Sequence, residues 1–249
     1  MMKSLSKALL TAGFFVSSSV FALGIEGSIG SWSQDPGGYI SYRGDSLDVD
    51  KELRYGKKSK PMARLKLQTP FILPNLYLMA TQSKFSGEGV KEVPFRFGDK
   101  IFQANVPFYS EAQLNHYDIA LYYNLPFLRT LTGGILNAEL GVNARVLDLK
   151  ARVRQNNLDE SKSITAPVPM VYAGVGIKPI GFVSLEGELR GIAYGGNHYY
   201  DTIARLKIKP INQLFISGGY RWQELKVDVS DVKSKIKLKG TFVEGGFEF

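Results

Sequence analysis

Leu136-Asn137-Ala138-Glu139-Leu140-Gly141-Val142-Asn143-Ala144-Arg145-Val146 alternates apolar and polar residues without a break. A helix would scatter its charges around the axis. A strand, whose side chains point to opposite faces in turn, sorts them into one apolar and one polar face. The pattern recurs in Val183, Leu185, Leu189 and Ala193 against Ser184, Glu186, Glu188 and Arg190, and in Tyr117, Ile119, Leu121 and Tyr123 against His116, Asp118, Ala120 and Tyr122. Followed outward, period two accounts for ten segments, near 23–34, 60–69, 75–86, 113–125, 135–150, 167–178, 182–194, 199–209, 213–228 and 236–249. The fold class this implies is all-β, an antiparallel transmembrane β-barrel. Ten strands are expected, or eight if two weak segments are loop. Strands of about ten residues suit a tilted crossing of the hydrocarbon layer, and an even count returns the chain to its starting side.

The connections fall into two sets. One set is short and marked by Pro70-Phe71, Pro126-Phe127, Pro179-Ile180 and Pro210-Ile211. The other is longer or more polar, near 35–59, 87–112, 151–166, 195–198 and 229–235. Short turns on one rim and long loops on the other are the asymmetry of a membrane barrel, with the long loops extracellular. The 87–112 loop carries Phe95, Phe97, Phe102, Phe108 and Tyr109. It is expected either to fold over the mouth or to pack on itself.

The start of the chain has a separate logic. Lys3 and Lys7 precede an apolar stretch from Ala8 to Phe21, and Val20 and Ala22 place small residues around a cut. Residues 1–22 therefore read as a cleavable signal peptide for the Sec pathway, leaving 23–249 as the barrel. The sequence has no cysteine, which excludes disulfides, thiolate metal sites and a lipidated N-terminal Cys. The formal charge is +8. Export argues against nucleic acid as the partner and favours an anionic lipid surface.

The chain ends Thr241-Phe242-Val243-Glu244-Gly245-Gly246-Phe247-Glu248-Phe249. Thr241, Val243, Gly245, Phe247 and Phe249 share one face. This resembles the C-terminal β-signal of outer-membrane proteins, and with the alternation it makes the chain similar to small Gram-negative outer-membrane barrels. In size it is similar to the OmpA membrane domain, OmpW-like proteins and omptins. The resemblance implies an outer-membrane location, recognition by the barrel-assembly machinery and contact with lipopolysaccharide. A monomer is expected, and no nucleic acid or cofactor.

If Phe249 faces lipid, parity turns Glu26, Arg64, Lys66, His116, Asp118, Glu139, Arg145, Glu186, Glu188, Arg190, Arg205, Lys207, Arg221 and Glu244 into the lumen. Mixed signs in a narrow barrel suit an ion-pair network; the alternative is a narrow channel for small polar solutes. Outside, Lys150, Arg152 and Arg154 continue the face of Val146, and Lys237 and Lys239 that of Val243. These cations are expected to meet lipopolysaccharide phosphates, or else simply water. Trp32, Tyr220 and Trp222 read as an outer aromatic girdle. Enzymatic barrels exist, and His116 with Asp118 is the one pair here resembling a general-base arrangement. No adjacent acidic pair is found at the rim position equivalent to that of omptins, and no Asp-x-His occurs, so the pair reads foremost as part of the lumen network.

Overall fold

The computed structural model describes residues 24–249 except Phe71 and Ser230. The expected signal peptide lies outside the described residues. The strands in chain order are β1 (Gly24–Ser41), β2 (Ser46–Asp48), β3 (Lys58–Gln68), β4 (Asn75–Thr81), β5 (Lys84–Gly89), β6 (Phe95–Phe97), β7 (Lys100–Phe102), β8 (Phe108–Asn124), β9 (Leu136–Gln155), β10 (Leu158–Ile180), β11 (Val183–Tyr194), β12 (Asn197–Ile211), β13 (Leu214–Val229) and β14 (Val232–Glu248). One short helix, α1 (Pro126–Leu131), sits between β8 and β9. Each wall strand pairs antiparallel with the next, and β14 returns to β1, from Glu26↔Glu248 to Tyr39↔Lys235. In the twelve-stranded sheet, β2 is an edge piece on β1. β4 and β5 are two halves of one strand, both on β8. The wall therefore has ten strands and is closed.

Its outer surface shows why. Ile29, Tyr117, Leu121, Val142, Val171, Leu189, Leu206, Ile216 and Val243 all point outward and are exposed, one band around the barrel. A continuous apolar band of this size would be unstable in water. From Leu136 to Val146 the band runs roughly 33 Å along the strand, or about 25 Å once tilted, the height of a hydrocarbon layer. The lower seam is zipped by the terminal residue: Phe249 donates its N–H to the Ile25 carbonyl at 2.8 Å and accepts from Ile25 at 3.1 Å. Outward-facing Phe247 lies over Gly27, where a Cβ would stand 2.8 Å from the ring.

The upper connections differ from the sequence expectation. Residues 151–166 are not a loop: β9 and β10 run on as a hairpin and turn only at Asn156–Asn157. The reason is a phase inversion. Up to Val146 the outward residues are apolar and the inward ones polar. Beyond it Asp148, Lys150, Arg152 and Arg154 face out while Leu147, Leu149, Ala151 and Val153 face in. Alternation continues with its sides exchanged, because the wall has left the lipid. Likewise the 229–235 connection shrinks to residues 230–231, and the 195–198 connection to Gly195–Gly196, whose positive φ angles suit a two-residue hairpin turn. Within 35–59, β1 runs on to Ser41 and β2 adds an edge; within 87–112, β6 and β7 form a hairpin of their own. On the other rim, the proline-marked connections are also reshaped. Pro126 starts α1, while Pro179 and Pro210 lie at bulged strand ends.

The aromatic loop packs on itself and does not plug the mouth. Phe95 stacks on Phe102 at 5.1 Å and touches Phe108, and Phe97 meets Tyr42 edge-on. Gln155 binds the loop through Gln103 N and Val106 O, and Arg43 ties β1 to Asp231 of the β13–β14 turn. The result is a small apolar cap over one side of the extracellular end.

Deleting Phe249 removes the last hydrogen-bonded pair of the seam. Refolding into lipid vesicles, followed by electrophoresis of unboiled samples, should show slower appearance and lower yield of the folded band. Wild-type kinetics in the deletion would show that this pair is dispensable.

Candidate functional site

The lumen is layered. In the lowest layer Lys66 binds Glu139 at 2.9 Å, and Lys207 bridges Glu26 (2.8 Å), Glu186 (3.0 Å) and Glu248 (3.1 Å). A small polar vestibule of about 190 Å³ opens below. One layer up, Arg64 holds Glu26 and Glu244, and Arg205 holds Glu188 and Glu244. Arg190 pairs with Glu188 at 3.1 Å and lies against the rings of Tyr77 and Tyr172. Higher still, Asp118 accepts two hydrogen bonds from Arg145, at 2.7 and 2.9 Å. Asp201 bridges Arg145 and Arg221.

Many of these pairs join neighbouring strands, as Asp118 and Arg145 do, and others reach across the barrel. Arg221 on β13 reaches Thr81 on β4 (2.9 Å) and His116 on β8 (3.1 Å). Arg145, Arg190, Arg221, Asp201, His116 and Tyr77 have no exposed surface. Charged groups buried this deeply persist because each has a counter-charge; removing one partner strands the other.

The structure thus brings together all thirteen charged residues assigned to the lumen by parity. It adds Asp201, Glu248 and, on Glu248 at 2.6 Å, Lys209. Each carried a signal: Asp201 and Lys209 share the parity of Arg205 and Lys207, and Glu248 that of Glu244. Trp32 is also corrected. It is fully buried in the lumen, donates to the Gly240 carbonyl at 3.1 Å and lies under Arg221, because it shares the parity of Glu26.

His116 and Asp118 are neighbours without being hydrogen-bonded to each other. His116 Nε2 faces two donors, Arg221 and Gln223, each at 3.1 Å. It is therefore the acceptor, and Nδ1 carries the hydrogen, directed at the Leu114 carbonyl. With Nε2 engaged, the ring is not poised to take a proton from a substrate. His116, Asp118 and Asp201 bring ligand-type atoms within 4.8 Å of one another. Arg145 and Arg221 already neutralise both carboxylates, so a metal ion there would have to displace a guanidinium.

Above this layer the lumen turns apolar, as the phase inversion requires. Leu114, Leu147, Leu149, Ile192, Leu225 and Leu238 surround a cup of about 670 Å³ open to the extracellular side.

Outside, the basic residues lie on opposite sides of the barrel, β9 on one and β14 on the other. Lys150 meets Glu111 at 3.3 Å, Arg152 holds Asp159, and Arg154 lies over the Tyr109 ring. The hydrogen bond and charge of Arg152 hold the exposed Asp159 carboxyl below its ordinary range. Lys237 meets Glu224 at 3.3 Å and Lys239 stands 4.0 Å from Asp35. Val243, Phe247 and Phe249 of the terminal strand face outward and are exposed.

A closed antiparallel wall with an apolar outer band and a charged interior defines an outer-membrane-type β-barrel. No protein-family model matches the chain, and no curated protein matches it in sequence. Solved structures resemble it in fold. The outer membrane protease OmpT of Escherichia coli superposes with a TM-score of 0.54 at 8% identity, over 93% of this chain and 98% of that one. Ail of Yersinia pestis, in complex with a heparin analogue, gives 0.38 at 12% identity over 91% and 98%. The translocator domain of autotransporter NalP from Neisseria meningitidis gives 0.38 at 10% over 95% and 91%. The likeness to OmpT is one of fold alone; the other two lie too far away to argue from.

Asp201→Asn should leave Arg145 and Arg221 short of charge and cost about 3 kcal/mol. Urea unfolding of the refolded barrel in lipid vesicles measures this. A midpoint equal to wild type would show that the layer carries no stability.

Proposed function

We propose that this chain is an integral outer-membrane barrel, exported by residues 1–22, whose lumen is closed and whose working surface is its extracellular end. The observation that carries this reading is the fully buried layer of Arg145, Asp201, Arg221 and His116, whose hydrogen bonds span the barrel from β13 to β8. A solute path would have to break these pairs, each in a low-dielectric interior where an unpaired charge is costly. A surface-interaction barrel needs a rigid wall and an exposed rim, and this chain has both. Lys150, Arg152 and Arg154 on one side, with Lys237 and Lys239 on the other, are the residues proposed to meet lipopolysaccharide phosphates just above the apolar band.

Single-channel recording in planar bilayers tests the closed lumen. The wild type should give no discrete conductance steps, whereas Arg145→Ala combined with Asp201→Ala and Arg221→Ala should produce them. Regular steps from the wild type would overturn the reading in favour of a narrow channel. The rim residues are tested apart: joint alanine substitution of Arg152, Arg154, Lys237 and Lys239 should raise detergent sensitivity of cells and lower lipopolysaccharide co-purification.

A further inference from the structure

We infer that the extracellular cup is a binding site for one long aliphatic chain of an anionic amphiphile, a fatty acid or the acyl chain of a lipid. The inference rests on the membrane placement proposed above but not on the lumen being closed.

Leu114, Leu147, Val168, Ile192, Leu225 and Leu238 make the inner wall aliphatic. The volume, about 670 Å³, falls within the range of small-molecule sites. Below, the charged layer forms a floor whose ions already pair with one another, so it offers an incoming anion no free charge. Tyr55 and Phe85 close one side, where the aromatic cap sits.

The mouth has the opposite character. Lys162 faces into it and Lys226 stands at its edge, neither with an acidic partner among the described residues. An aliphatic tail inside with an anionic head at this rim satisfies both halves of the site. Each buried methylene favours binding, and the head keeps its water and gains a cation.

The wall also supplies an entrance. β10 pairs with β11 only from Val171 downward, while residues 158–168 pair with β9 alone. The β11–β12 hairpin turns at Gly195–Gly196, while β13 continues to Val229. The wall between β10 and β13 is therefore low, a notch opening sideways. Ile164 and Pro167 flank it on one side, His198 and Lys226 on the other, and all four line the cup. Tyr194, 85% exposed, stands at its sill. Val146, the top of the apolar band on β9, is paired with Pro167, so the sill lies at the outer edge of the lipid layer. A chain leaving the outer leaflet would pass from one apolar surface to the next.

Binding is measured on the full barrel in phosphatidylcholine nanodiscs, with dansyl-undecanoic acid as the free-acid probe and pyrene-labelled phosphatidylglycerol as the lipid probe. Saturable binding of at least one probe is expected, and the responding arm identifies the source. Ala151→Trp and, separately, Ala166→Trp fill the cup above the charged layer and should weaken binding at least tenfold. The folded band of unboiled samples checks that each variant is intact. Lys162→Glu with Lys226→Glu should weaken the acid probe while sparing an uncharged fatty alcohol of equal length. Absence of saturable binding in both arms, or binding unchanged in both folded Trp variants, overturns the site. Equal effects on acid and alcohol overturn the anionic head. A conducting wild type that still binds the probe would sink the closed-lumen reading alone.

Discussion

In hydrocarbon there is no water to satisfy a backbone N–H or C=O, and each one left unpaired costs several kcal/mol. A sheet meets that demand only by having no edge. The pairing of β14 with β1, ending at the exchange between Ile25 and Phe249, is therefore the contact on which the rest of the molecule depends. Closure fixes the wall at ten strands and makes the lumen narrow. It also gives every side chain in the membrane one of two surroundings, lipid or lumen.

The narrow lumen explains the arginines. A side chain turned inward can reach the opposite wall, and Arg221 does so at His116 and Thr81. Guanidinium is suited to this position because its planar fork binds a carboxylate through two parallel hydrogen bonds, as Arg145 does with Asp118. Tyrosine rings fill the remaining space, and Arg190 lies against two of them. The same pairs keep the charges solvated by protein across the middle of the lumen.

Where the wall rises out of the lipid, the rule for its faces reverses. Outward positions meet water and become Lys, Arg, Asp or Glu. Inward positions no longer need to hold a charged plug and become Leu, Ile, Val and Ala. The extracellular end is thus an apolar cup inside a charged collar, braced on one side by the aromatic cap and low on the other over the β11–β12 turn. Its low side comes from strand length: β9, β10, β13 and β14 continue upward, and β11 and β12 stop.

The sequence by itself determined the wall. The alternation at Leu136–Val146 and its repeats, the even strand count and the sorting of charges inward all follow from a period of two, which is a local property of the chain. Asp201 and Glu248 follow the same parity. The upper strands were harder to read. At Val146–Leu147 two apolar residues stand together, and the alternation that resumes there has its faces exchanged, so a reading keyed to one apolar face takes the stretch for loop. Only the tertiary structure decided which charge meets which, because Arg145 and Asp201, or Arg221 and His116, come together through strand tilt and register around a closed ring, separated by 56 and 105 residues. It alone showed that His116 turns from Asp118 toward Gln223, that Trp32 fills the lumen, and that residues scattered over nine strands enclose one apolar cup. Period two tells a side chain which way to face; what it finds there depends on the strands across the barrel.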